Sequence, residues 1–348
     1  MTLIHIAANN GDIGGGEVML LQVAEAVRAL GHAVHVIGPR AENGVVEAAA
    51  LQGFSTTALA PGRKAYMRAL ASWDRGRDGV LWCNGLVPAL ATTGRPDRIV
   101  HLHQAPSRRH VAAGRLAALG SLALLVPSRS MARFFPTAQI LPNWVSEVRV
   151  NRDVVEGTQK LVTLGFLGRP SMDKGVGVLA QALHLLDATF PGRFRLLLAG
   201  EPRFVDEADQ TRLESILAPV DHLIDRPGWI SRSDFFSAVD LAVFPSVWAE
   251  PFGLIVAEAM SARCPFVISD AGAMPEITGE DYPWRARRDS VSSLVRVLLR
   301  ALGTPAQERD LLAEQQHARW ERLYSPQAGR ERVRHLLTDA LPTEVETA

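Results

Sequence analysis

A length of 348 residues favours two domains, and a hydrophobic share of 47% supplies a core for each. A formal net charge of zero removes any bulk-charge argument for nucleic-acid binding, and two cysteines are too few for a disulfide scaffold. The charge is nevertheless uneven: residues 1–150 hold 15 Arg and Lys against 9 Asp and Glu, the rest 22 against 28, so the front is basic and the back acidic.

In chain order, Leu3 to Ala7 is an apolar β run, Asn10 to Gly16 a glycine-rich loop, and Glu17 to Leu30 a helix by its apolar spacing. Gly31 ends that helix and Ala33 to Ile37 is the next strand, which makes a βαβ unit. Short strands follow at Gly79–Cys83, Arg98–His103, Ala123–Pro127 and Gln139–Leu141. The segment from Leu141 through the polar stretch Glu147–Lys160 reads as an interdomain linker. The alternation then restarts: strands at Lys160–Gly168, Arg195–Gly200, His222–Ile224, Leu241–Pro245 and Pro265–Ser269, with helices at Gly175–Thr189, Glu207–Leu217, Ser233–Val239 and Glu250–Ala262 between them. Residues 290–340 are helical with a break at Pro326, and Pro342–Ala348 is a frayed tail. Two doubly wound, mostly parallel α/β domains are expected. The N-terminus has no charged leader, and the apolar block Leu116–Pro127 is too short to span a bilayer. Cys83 and Cys264 lie in apolar, strand-like contexts that suit a reducing compartment. A cytoplasmic chain, soluble or peripherally bound, is expected.

Glu250-Pro-Phe-Gly-Leu-Ile-Val-Ala-Glu258 follows a buried strand and opens a helix. It puts carboxylates and helix-start amides at one place, a combination that suits a polyhydroxylated, anionic ligand; the same glutamates also suit a helix N-terminus by themselves. Gly168-Arg169-Pro-Ser-Met-Asp-Lys174-Gly175 offers a guanidinium fork and a point charge after a strand, enough to neutralise a diphosphate, or simply a solvated turn. Gly14-Gly15-Gly16-Glu17 lets backbone approach a ligand closely, or makes a tight turn. It is not G-x-G-x-x-G, and no acidic residue ends the second strand, which speaks against a dinucleotide cofactor. Asn84, at the end of the third strand, and His103, at the end of the fourth, occupy strand carboxyl ends. His101 shares a strand face with His103, but no third ligand for a metal is evident. Trp229 lies in Pro227-Gly-Trp-Ile, as a partly buried core aromatic or a base-stacking residue. Arg63-Lys64 and Arg108-Arg109 are either solvated or meet an anionic acceptor or membrane.

The Glu250–Glu258 spacing resembles the E-x7-E signature of retaining GT-B glycosyltransferases, family 4 in particular. The G-R-x-x-x-x-K-G element, the glycine loop and Ser269-Asp-Ala-Gly-Ala-Met-Pro-Glu276 fall in that family's order. Arg263 stands where relatives usually have glycine. The resemblance implies a GT-B fold, two Rossmann-like doubly wound domains facing across a cleft. It implies an acceptor-side domain over 1–150, a nucleotide-sugar domain over 151–315, and C-terminal helices over 316–348 that pack back on the first. It implies transfer of a sugar from a nucleotide-diphosphate donor to a hydroxylated acceptor with retained configuration. Arg169 and Lys174 would bind the diphosphate, Glu250 with the backbone of Phe252, Gly253 and Leu254 the sugar and distal phosphate, and Glu258 the ribose. His103 would contact the donor sugar, Gly15 and Gly16 face phosphates and acceptor, and Trp229 meet the base, with Asn84 nearby in the donor-binding set. No cofactor and no metal is expected: the sequence has no D-x-D, and the two cations take the metal's task. No nucleic acid is expected as partner; a peripheral membrane contact through the basic front is. The alternatives are a nucleotide-sugar epimerase-like enzyme and an inactive nucleotide-sugar-binding partner protein.

Overall fold

In the computed structural model, residues 1–151, 161–202 and 205–341 are described, and the chain divides into two compact units. One comprises Met1–Trp144 with Leu323–Ala348, the other Val145–Arg322. Residues 152–160 of the expected linker and the tail over 342–348 lie outside the described residues.

In the first unit, the described strands are β1 (Leu3–Ala8), β2 (Ala33–Pro39), β3 (Ser55–Leu59), β4 (Val80–Asn84), β5 (Arg98–His101), β6 (Ala123–Val126) and β7 (Gln139–Ile140). They form one parallel sheet ordered β3-β2-β1-β4-β5-β6-β7. Helices cover both faces, so β1 and β4 read as near-continuous apolar runs, while β5 is buried throughout although Arg98 and His101 stand at its ends. One core lies between the sheet and the helices Gly15–Ala29 and Pro326–Ala340, the other around Tyr66, Leu70, Val87 and Phe135.

The sequence reading missed β3 and the helix Gly44–Leu51 before it. β3 is an edge strand of Ser-Thr-Thr-Ala-Leu with no fully buried residue, so it carries little of the apolar signal on which a strand reading depends. Asn84 therefore closes the fourth strand, and His103 lies two residues beyond the fifth. The beginning of the supposed linker is also different. Leu141, Trp144 and Val145 are buried, and Trp144 sits so tightly under Gly329 that an added Cβ there would lie 2.2 Å from its ring. Arg332 stacks 5.9 Å over the same indole and donates to the Pro142 carbonyl. A tryptophan that deep is core, whatever the polarity of its neighbours.

The second unit holds β8 (Val162–Leu167), β9 (Phe194–Ala199), β10 (Ile224–Gly228), β11 (Leu241–Phe244), β12 (Phe266–Ser269) and β13 (Arg285–Ala286), all parallel in the order β10-β9-β8-β11-β12-β13. The reversal of strand order between β8 and β11 is a topological switch point, where open α/β sheets bind ligands outside the strand carboxyl ends. The helix read over Glu250–Ala262 begins at Leu254 instead: Pro251 stands in the preceding loop, and Gly253 caps the helix at φ 102°. Pro326 occupies the first turn of its helix, where its missing N–H costs nothing.

Candidate functional site

In the second unit the G-R-x-x-x-x-K-G loop leaves β8 and the Glu250 loop leaves β11, its neighbour in the sheet. Lys174 Nζ donates to Glu250 Oε1 at 2.7 Å, so the two motifs meet. Ser246 Oγ donates to the same oxygen at 2.8 Å. Arg169 Nη2 donates to Asp173 Oδ2 at 2.8 Å, while its buried Nε has no partner. The Lys174 and Arg169 side chains remain about a third exposed, within reach of a ligand.

Backbone contacts hold this arrangement. The Asp173 carbonyl accepts from the amides of Val247 and Trp248. Gly175 is left-handed at φ 76°, and a Cβ there would lie 1.9 Å from the Pro245 carbonyl oxygen. The glycine lets the lysine loop close down on the end of β11. Gly272, at φ 62°, does the same for the Ser269–Glu276 motif: its Cβ would lie 2.3 Å from the Glu250 backbone, and Ala273 donates its amide to the Glu250 carbonyl. All three motifs therefore converge on Glu250.

Glu258 lies one turn into the helix Leu254–Ser261 with its side chain 12% exposed. Burial raises its pKa above the usual carboxylate value, and Arg232, whose Nε is 3.4 Å from both oxygens, partly opposes that. Phe252 is buried, so only its backbone is available to a ligand, while Gly253 and Leu254 open the helix. Trp229 stands 69% exposed just after β10 and is no core aromatic.

In the first unit, the carboxyl ends of β1, β4 and β5 bring Gly16, Asn84 and His103 together. Asn84 Nδ2 donates to the Gly16 carbonyl at 2.9 Å, which leaves Asn84 Oδ1 to accept from His103 Nε2–H at 2.8 Å. His103 Nδ1 is buried without a partner. Burial pulls the His103 pKa down to about 3 and the His101 pKa well down too, so both rings are neutral near pH 7. The two rings lie 3.9 Å apart, and a pair of imidazolium ions at that distance would repel. Glu17 anchors the glycine loop: its buried carboxylate accepts from the amides of Asn10 and Gly14. Gly15 begins the helix Gly15–Ala29. Arg63 and Lys64 open the helix Arg63–Trp73, and Arg108 and Arg109 the helix Arg108–Ala117.

Three residues of the second set escaped the sequence reading. Asp173 and Ser246 had a local signal, each four positions from the residue it serves, Arg169 and Glu250. Arg232 had none, because it is 26 positions from Glu258 and only the packing of their two helices brings them together.

Residues 161–304 match the family model for glycosyl transferases group 1. Within the curated proteins, a glycogen synthase of Mycobacterium tuberculosis is 34% identical over 147 residues, 40% of this chain and 34% of its own length. A phosphatidyl-myo-inositol mannosyltransferase of Propionibacterium freudenreichii is 30% identical over 169 residues, 47% of this chain and 39% of its own. The chain thus spans little more than a third of the curated relatives it matches. In structure it is similar to Anabaena HepE, solved in complex with UDP and glucose: TM-score 0.83 at 17% identity, over 97% of this chain and 100% of that one. The two parallel-sheet, Rossmann-like domains are those of the GT-B glycosyltransferases. No helix among the described residues is long and apolar enough to cross a membrane.

Proposed function

We propose that this group 1 glycosyltransferase chain moves a sugar from a nucleoside-diphosphate donor to a hydroxyl acceptor, with retention and without a divalent metal. The observation that carries the reading is the convergence of Lys174, Ser246 and Glu250 beside Arg169, at the switch point and at the start of the helix Leu254–Ser261. Two cations and helix-start amides suit a diphosphate leaving group. Glu250 suits sugar hydroxyls once Lys174 turns to phosphate, and Glu258 suits a ribose. Exposed Trp229 offers a face to a base. The UDP in the HepE complex makes UDP-sugars the first donors to try.

In this reading the bond from the sugar's anomeric carbon to the diphosphate oxygen breaks first. The acceptor oxygen bonds to that carbon on the same face, and its proton passes to the departing phosphate. Arg169 and Lys174 stabilise the charge that develops on the diphosphate. The neutral His103 ring contacts a substrate hydroxyl and has too low a pKa to serve as an acid near neutrality. Gly15 and Gly16 offer backbone at the first unit's glycine loop.

The test is a thermal-shift panel of UDP-, GDP-, ADP- and dTDP-sugars, then nucleotide release with hydroxyl acceptors in EDTA, with product configuration read by NMR. Acceptor-dependent release with the donor's configuration supports the proposal. Loss of activity in EDTA restored by Mg²⁺ or Mn²⁺ removes its metal-free part. Donor isomerisation without acceptor, or binding without turnover, replaces it with the epimerase-like or inactive reading.

A further inference from the structure

From Arg98 to Ser146 the sequence contains six arginines, all but the buried Arg98 exposed, and neither aspartate nor glutamate. This stretch builds β5, β6 and β7, one edge of the first unit's sheet, with the helix Arg108–Ala117 between β5 and β6. The helix buries Gly114 against Phe135 and Leu102. Its opposite side carries Arg108, Arg109, Arg115 and Leu116 to solvent, and Leu119 follows one turn on. Arg115 donates to the Phe134 carbonyl, so the turn carrying Arg133 and Phe134 adjoins this stripe.

Two properties of the surface work against stability and solubility. Leu116, Leu119 and Phe134 are 53%, 58% and 41% exposed. Arginines also occupy the first helical turn, with no acid there, although cations at that end oppose the helix dipole. Exposed leucines amid cations, with no anion in the same stretch, are the makeup of an interfacial surface. We infer that this face docks on a bilayer of anionic lipids: the arginines meet headgroups, and Leu116, Leu119 and Phe134 enter the headgroup–acyl boundary. Charge complementarity selects that occupant over a neutral membrane or a second, equally basic copy of the same face. The inference rests on nothing in the donor-site reading and stands or falls separately.

Cosedimentation of the full chain with vesicles tests it, using phosphatidylcholine alone or mixed with phosphatidylglycerol, at low and high ionic strength. Pelleting is expected only with the anionic vesicles, weakening with salt. Arg109→Gln with Arg133→Gln is expected to weaken partitioning about thirtyfold. Leu116→Ser with Leu119→Ser is expected to weaken it on the order of tenfold and to remove what survives high salt. All four positions are exposed, so melting temperature should stay near that of the parent. No pelleting with anionic vesicles at low salt overturns the inference, as does pelleting unchanged in both variants. Self-association that the leucine variant abolishes, without vesicle binding, overturns it in favour of a second copy.

Discussion

Lys174 and Glu250 are 76 positions apart in sequence, yet Nζ and Oε1 are 2.7 Å apart in the fold. Neither side chain is fully exposed, at 31% and 12%, so the pair is better shielded from screening than a surface ion pair. In the proposed reading a diphosphate would draw Lys174 and a sugar Glu250, and the pair would part.

Lys174→Ala and Arg169→Ala are each expected to lower turnover by roughly ten- to a hundredfold, the loss of one charge-assisted contact of about 1.5–3 kcal/mol. Steady-state kinetics beside circular dichroism checks this. Full activity in either variant would show that the diphosphate lies elsewhere.

Removing Arg232 takes away the cation that opposes the burial of Glu258. Arg232→Ala should raise the Glu258 pKa further and weaken nucleoside-diphosphate binding most at alkaline pH, where the unpaired carboxylate must be charged inside the fold. Calorimetric titration across pH is the measurement. Binding with an unchanged pH profile would exclude a role for the pair.

Gly175→Ala should destabilise the second unit by roughly 1–3 kcal/mol, because a Cβ would meet the Pro245 carbonyl at 1.9 Å in a left-handed conformation. Ala at Gly192, which is also left-handed but has nothing near its Cβ, should cost less. Urea unfolding compares the two, and equal costs would mean the contact is relieved without strain.

Acid should destabilise the first unit through its histidines. Burial lowers the folded pKa of His5, His35, His101 and His103, the last to about 3, against about 6.5 unfolded. The unfolded chain then binds more protons below pH 6.5, so stability is complete above that value and falls as pH drops toward 3. At pH 5 His103 alone would cost up to about 2 kcal/mol. Glu17 in the first unit, like Glu258 in the second, acts oppositely: burial raises its folded pKa, and acid relieves that burden. His103→Gln should flatten the acid limb of the stability profile measured by urea midpoint. An acid limb as steep as the parent's would assign the effect to the other histidines.

Much of the architecture was legible in the chain. Apolar runs between glycine-bearing loops located β1, β2, β8, β9, β11 and β12 to within a few residues, because buried parallel strands are largely apolar. The mostly exposed β10 meets its expected strand only at Ile224, and the two-residue β13 was missed. The edge strand β3 escaped because exposure frees its side chains from that demand. Trp144 carries no core signal in the sequence, because Pro142, Asn143 and Ser146 interrupt any apolar period around it. Its burial comes from a helix nearly 190 positions later, through Gly329 and Arg332.

The sequence by itself determined which groups the site contains. Arg169, Lys174, Glu250 and Glu258 stand beside glycines and helix starts whose local chemistry is fixed by neighbours in the chain. The tertiary structure alone decided their partners. Lys174 meets Glu250 because β8 and β11 adjoin at the switch point, Arg232 meets Glu258 across two helices, and Asn84 sets the protonated nitrogen of His103. Hydrogen bonds and ion pairs act over a few ångströms of space, and strand order, which no local pattern encodes, sets which residues come that close.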